Sequence, residues 1–151
     1  MASKEIVIEG HCACHATTWT STAAPSHLDF CYCTECQQVT GAPFGAWVGV
    51  PTSDVKWSNT RGFFRLSSLA TRSFCKTCGS TLSIQYECYP QKVHIAVGTV
   101  VKGQVPKMAC HLFVSEKPSW YTIPDDGVRR WERFDDEFQD VMKQWKENTC
   151  P

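Results

Sequence analysis

The chain has 151 residues, the size of one ordinary domain, with 42% apolar and 20% charged residues and 15 basic side chains against 15 acidic ones. A formal net charge of zero argues against a general nucleic-acid binder, which carries a basic face, and no stretch reaches the roughly 18–20 apolar residues of a membrane span. Ten cysteines leave two readings, extracellular disulfides or intracellular thiolate metal sites.

At the start of the chain Ile6, Val7 and Ile8 run at once into Glu9, Gly10 and His11. That is too short an apolar run for a signal peptide. A cytoplasmic, reducing setting is therefore expected, and metal binding is favoured over disulfides. No internal repeat or low-complexity linker divides the chain, so a single zinc-binding domain is expected over residues 1–151.

Most of the chain reads as short β-segments broken by turn residues, which predicts a mainly β fold of short antiparallel strands. Residues 4–9, 15–21 and 28–32 form the first three predicted strands. Residues 44–50 have strand composition and are closed by Pro51. Residues 62–66, 71–74, 82–86, 93–97 and 108–114 complete the set. The run Val93-His94-Ile95-Ala96-Val97 alternates apolar and polar positions, so one of its faces is expected to be buried.

The tail changes period. Trp131, Phe134, Phe138, Val141, Met142 and Trp145 recur at spacings of three and four, with acidic and basic residues between them. This predicts a C-terminal amphipathic α-helix over 131–146, acidic in its first half and basic in its last turn. The stripe is expected to pack on the sheet; a dimer contact is the alternative.

The cysteines fall into groups. Cys12-Ala13-Cys14 sits on a turn between two predicted strands, and Cys75-Lys76-Thr77-Cys78-Gly79 has the form of a zinc-knuckle turn, with glycine permitting the tight return. Four thiolates from two loops make a closed tetrahedral site suited to a structural zinc. Between them lies Cys31-Tyr32-Cys33-Thr34-Glu35-Cys36. Cys31 and Cys33 project to one side of an extended segment, and Cys36 joins them if the chain turns after Cys33. Three protein ligands with one open position are the mark of a reactive metal site. Disulfide pairing, or a single mixed site with spare thiols, are the competing arrangements. Cys88, Cys110 and Cys150 lack metal-like spacing and read as ordinary buried or terminal thiols. His11 and His15 flank the first pair, but four cysteines already suffice; His27 and His94 carry no signal.

These motifs, in this order, resemble the glutathione-dependent formaldehyde-activating enzyme family, which includes the centromere protein V-like proteins. The resemblance runs from Gly10-His11-Cys12-Ala13-Cys14 through the three-cysteine segment and Thr40-Gly41-Ala42-Pro43-Phe44-Gly45-Ala46-Trp47. It continues through Phe74-Cys75-Lys76-Thr77-Cys78-Gly79-Ser80 and Val97-Gly98-Thr99 to His111-Leu112-Phe113-Val114 and Pro118-Ser119-Trp120. It implies a fold of the β-tent type. It also implies a structural zinc on Cys12, Cys14, Cys75 and Cys78, and a catalytic zinc on Cys31, Cys33 and Cys36. Two departures stand out. His15 occupies the place where the family usually has glycine, and the tail is longer than the family core needs.

Zinc with three thiolates carries a net charge near minus one, which suits an incoming thiol better than water. The expected activity is that of a carbon–sulfur lyase acting on adducts of glutathione, or another small thiol, with an aldehyde or other electrophile. Phe44 and Trp47 are candidates to wall the cosubstrate pocket, with plain core packing as their alternative. His111 or Glu35 are candidates to move protons. Arg61, Arg65, Arg72 and Lys76 are candidates to meet glutathione carboxylates, solvated surface charge being the commoner fate. The non-catalytic alternative is a zinc-stabilised binding module for a protein or chromatin partner, which the balanced charge disfavours.

Overall fold

A computed structural model describes residues 4–58 and 61–149. Its twelve strands are β1 (Ile8–His11), β2 (Thr18–Ser21), β3 (His27–Cys31), β4 (Gly45–Pro51), β5 (Val55–Trp57), β6 (Arg61–Phe64), β7 (Ala70–Cys75), β8 (Thr81–Tyr86), β9 (Lys92–Ala96), β10 (Val100–Lys102), β11 (Met108–Leu112) and β12 (Arg129–Arg130). Two α-helices accompany them, α1 (Thr34–Thr40) and α2 (Asp136–Thr149). The mainly β fold with a C-terminal helix follows the sequence pattern. The chain groups into two compact units: residues up to Leu28 with Ala46–Lys107, and Asp29–Gly45 with residues from Met108 onward.

The first unit holds two antiparallel arrays. One has the strand order β10-β1-β2-β5, and the other runs β4-β9-β8-β7-β6. The predicted alternation in β9 is realised: Val93 and Ile95 are buried while Lys92, His94 and Ala96 are half-buried. Ile8 and Trp19 from the first array meet Val48, Val50, Val93 and Ile95 from the second in one core cluster. Each such side chain contributes about 1.5–3 kcal/mol when fully buried. Trp19 satisfies its indole by donating Nε1–H to Thr99 Oγ1 at 3.0 Å. Gly10 makes this approach possible, because a Cβ there would lie 2.2 Å from the Thr99 carbonyl oxygen and 2.6 Å from the Trp19 indole nitrogen.

The second unit is built on β11, which pairs in parallel with β12 through Cys110 with Arg129 and His111 with Arg130. The Tyr32 amide donates to the Leu112 carbonyl at 2.9 Å. Beyond β12 the chain is not yet helical: Trp131 is irregular and residues 132–134 form a bend. Trp131 N–H donates to His111 O at 2.8 Å, and Val114 and Phe113 donate to the Trp131 and Arg133 carbonyls.

This non-helical stretch corrects the predicted helix over 131–146. The helix begins at Asp136 and runs to Thr149, because Asp135 caps it: its Oδ1 accepts from Phe138 N–H at 2.9 Å and its carbonyl from Gln139 N–H at 3.0 Å. Trp131 and Phe134 continue the three-four spacing by coincidence. Phe134 still packs, edge-on to Phe113 at 4.8 Å and tilted on Phe138 at 4.4 Å. No residue of α2 is fully buried. Deleting residues from Asp136 onward should therefore leave a folded protein, its melting temperature lowered by about 2–4 °C for each kcal/mol that the packing of α2 contributes. Deleting from Arg129 onward also removes the hydrogen bonds to β11 and should lower it further. Equal melting temperatures for the two truncations, read by circular dichroism, would contradict this account of the tail.

Candidate functional site

In the first unit the loop between β1 and β2 carries Cys12 and Cys14, and the turn after β7 carries Cys75 and Cys78. Their four sulfurs lie within 4.8 Å of one another. Tetrahedral zinc with metal–sulfur bonds of about 2.3 Å requires sulfur–sulfur edges of about 3.8 Å. Cys12 Sγ to Cys14 Sγ is 3.6 Å and Cys14 Sγ to Cys75 Sγ is 3.8 Å. The donor set therefore fits a tetrathiolate metal ion. Cys12 and Cys75 are buried and Cys14 and Cys78 exposed.

Hydrogen bonds to sulfur favour the thiolate form. Thr17 N–H donates to Cys12 Sγ at 3.3 Å. The Cys75 thiol is pulled down to about 5, chiefly by Thr17 and then by the Cys78 amide. That of Cys78 is pulled down to about 7, first by the Ser80 hydroxyl 3.0 Å away. Cys14 moves the other way, to about 12: the Ala16 amide lowers it, but burial and the neighbouring thiols outweigh that. Gly79 takes the left-handed conformation, φ 77°, that the return of the knuckle needs.

His15 adopts φ 65°, the left-handed region that glycine enters freely. The departure noted in the sequence thus falls on a backbone position for which glycine is the easy choice. His15 is held there by its amide, which donates to the Cys12 carbonyl at 3.1 Å, and by its ring, 3.7 Å from that of His11. The His11 ring donates Nδ1–H to the same carbonyl at 2.8 Å. Neither histidine joins the four sulfurs as a ligand.

In the second unit Cys31, Cys33 and Cys36 bring their sulfurs within 4.8 Å of one another. The turn needed after Cys33 is α1, which the sequence pattern does not reveal as a helix. Cys33 is its N-cap, extended at φ −61° and ψ 150°, with its sulfur accepting from Cys36 N–H at 3.4 Å. A sulfur thus takes the place of the usual capping oxygen. Gly41 closes the helix at φ 66°. Cys31 and Cys36 are buried and Cys33 half-buried. Hydrogen bonding in which Cys31 keeps its proton beside Cys33 and Cys36, with burial, holds the Cys31 thiol well above its ordinary range. Protons shared among crowded sulfurs are what a cation would replace.

His111 is 1% exposed, and both its nitrogens are engaged. Nε2 lies 2.9 Å from Asp126 Oδ2, and Nδ1 lies 2.9 Å from the Tyr32 hydroxyl. A carboxylate only accepts, so Nε2 carries a proton, and the Tyr32 hydroxyl is the partner of Nδ1. The Val128 amide and then His111 hold the Asp126 carboxyl below its usual range. Burial pushes the Tyr32 phenol up, with Tyr121 adding to the effect. Phe44 belongs to this group, 5.3 Å from Tyr32, 5.9 Å from Tyr121 and stacked on Phe30 at 4.3 Å. Sequence reasoning does not single out Tyr32, Tyr121 or Asp126; the only signal is an aromatic lodged between two cysteines.

Trp47 lies in the first unit, 4% exposed in β4, with the Arg72 guanidinium 6.0 Å from its ring. Arg61 stacks 4.1 Å over Trp57, and Arg65 pairs with Glu87 at 2.9 Å. Lys76 is exposed, and Glu35 stands in the first turn of α1. Cys88 is buried. Cys110 is half-buried, its thiol donating to Asp29 Oδ1 at 3.2 Å and pushed up first by burial and then by that carboxylate. Cys150 lies outside the described residues.

Fold and site together define a β protein with two cysteine clusters, each able to hold a metal ion. The chain belongs to the glutathione-dependent formaldehyde-activating enzyme family, whose sequence pattern matches residues 7–116. It is also similar to an uncharacterized lyase of Schizosaccharomyces pombe, 33% identical over 78 residues that make up 52% of this chain and 57% of that protein. A Rhodobacter sphaeroides protein of known crystal structure shares the fold, with a TM-score of 0.53 at 19% identity over 66% of this chain and 92% of the other. Among the described residues no helix is long and apolar enough to cross a membrane.

Proposed function

We propose that this protein is a zinc-dependent carbon–sulfur lyase acting on adducts of glutathione, or another small thiol, with an aldehyde or similar electrophile. The observation that carries the reading is the three-sulfur group of Cys31, Cys33 and Cys36. Among the described residues it has no fourth His, Cys, Asp or Glu ligand atom within 4.8 Å. A group closed by four protein thiolates is structural, whereas three leave a coordination position for a reactant. Zinc bound there supplies a soft Lewis acid that lowers the pKa of an arriving thiol.

The reaction joins the thiol sulfur to the carbonyl carbon, and the thiol proton ends on the former carbonyl oxygen. Cleavage breaks the same carbon–sulfur bond and returns the proton to sulfur. Phe44, half-buried beside Tyr32 and Tyr121, supplies apolar surface for the electrophile. The tetrathiolate group of Cys12, Cys14, Cys75 and Cys78 is assigned a structural zinc. Membership of the family and the likeness to a relative named a lyase support an enzyme over a binding module.

Exchange between free and glutathione-bound formaldehyde, followed by carbon-13 NMR, tests the assignment. The zinc-loaded protein should speed exchange at least about 100-fold over its Cys33→Ser variant, since a direct ligand matters no less than the outer partners worth about 10–100-fold. Equal exchange with both proteins, for formaldehyde and for larger aldehydes, would contradict it.

A further inference from the structure

Tyr32 stands between two of the three clustered cysteines, yet its side chain serves the opposite face. The backbone is extended through Cys31 in β3 and through Cys33. Alternate side chains of an extended segment point to opposite sides. The sulfurs of Cys31 and Cys33 therefore leave on one side and the phenol on the other, where it is 0% exposed.

Every polar group of Tyr32 is tied down. Its amide donates to Leu112 O at 2.9 Å, and its carbonyl accepts from Gln37 Nε2 at 2.6 Å. Its hydroxyl is hydrogen-bonded to His111 Nδ1, and His111 passes the link to Asp126, which is itself fixed by Val128 N–H at 3.0 Å. Gln37 also donates to the Glu116 carbonyl at 2.9 Å, so the far side of the helix turn is anchored too. Phe30, Phe44 and Tyr121 pack around the phenol and its neighbours at ring distances of 4.3–6.1 Å.

We propose that Tyr32, His111 and Asp126 form a positioning chain that fixes the Cys31–Cys33 backbone, and thereby the spacing of the three sulfurs. His111 acts through Tyr32 and not as a proton donor to substrate. The chemistry of the arrangement favours this role. A buried ring with both nitrogens occupied has no free site to offer a reactant, whereas a hydrogen-bonded chain of this kind orients what it holds. The inference rests on the reading of the three-cysteine group as a metal site.

Cobalt titration separates the two ideas, because the four-cysteine group provides a reference within the same molecule. Tyr32→Phe removes a single hydroxyl, and Asp126→Ala alters the solvent-facing end of the chain, so neither should unfold the protein. Each should weaken the second cobalt equivalent about 10–100-fold and shift its ligand-field band. The first equivalent and the circular dichroism should not change. The double variant should lose little more than either single one, as expected for residues acting in series. Wild-type affinity and spectrum for the second equivalent in both variants would overturn the proposal. If wild type and Cys33→Ser bind the same number of ions, the metal reading itself fails, and the positioning role fails with it.

Discussion

Serine at Cys75 should unfold the first unit, whereas serine at Cys33 should leave a folded protein with one metal ion fewer. The difference follows from what each cluster joins. Cys14 and Cys75 are 61 residues apart, and their loops leave different arrays of the same unit, β1 and β2 on one side and β7 on the other. Closing so long a loop through a metal is a large constraint on the unfolded chain. Structural zinc contributes about 10–16 kcal/mol of apparent binding free energy, while a domain of this size is stable by only about 5–15 kcal/mol. Losing a fraction of the first exhausts the second. Cys75 is also fully buried, beside Cys12 and Leu82, so a hydroxyl there replaces both a ligand and a packed sulfur. The three-cysteine group spans six residues and ties nothing distant together. Metal analysis alongside circular dichroism reads both variants. Unfolding of both, or of neither, would remove the distinction between a structural and a reactive cluster.

Much of this is legible in the sequence, and the physical reasons differ by element. Cysteine spacing is read directly because ligand geometry demands it, so the division into four and three needs no tertiary information. The longer strands announce themselves through β-branched and aromatic residues. β5, β10 and β12 do not, being two or three residues long and defined only by their partners. α1 escapes notice because Thr34-Glu35-Cys36-Gln37-Gln38-Val39-Thr40 has no apolar stripe; Cys36 is its sole buried residue. The start of α2 is hidden because Trp131 and Phe134 extend its period although the backbone there is non-helical and hydrogen-bonded to His111 and Phe113. The link from Tyr32 to His111 spans 79 residues, and no local pattern encodes such a contact. His111 draws notice as a possible acid or base, but its buried partners Tyr32 and Asp126 are not legible from its neighbours in the chain.

On the proposed reading, glutathione should bind a metal ion held by Cys31, Cys33 and Cys36 as a thiolate. Three thiolates against a divalent ion leave that site with a net charge near minus one, too electron-rich for efficient activation of water and suited to a soft ligand. An ordinary thiol has a pKa near 8.5 and is mostly protonated at pH 7. Binding as thiolate therefore releases close to one proton per glutathione. The sign of the pH dependence follows. Affinity should rise about tenfold per pH unit below the pKa of free glutathione and level off above it. Replacing zinc by cobalt makes the event visible, because a thiolate joining cobalt adds charge-transfer absorption. The measurement is a glutathione titration of the dicobalt protein beside its Cys33→Ser variant. A saturable rise in the charge-transfer band is expected of the wild type, and none of the variant. A wild-type spectrum that glutathione and other small thiols leave unchanged would contradict thiolate binding at this site.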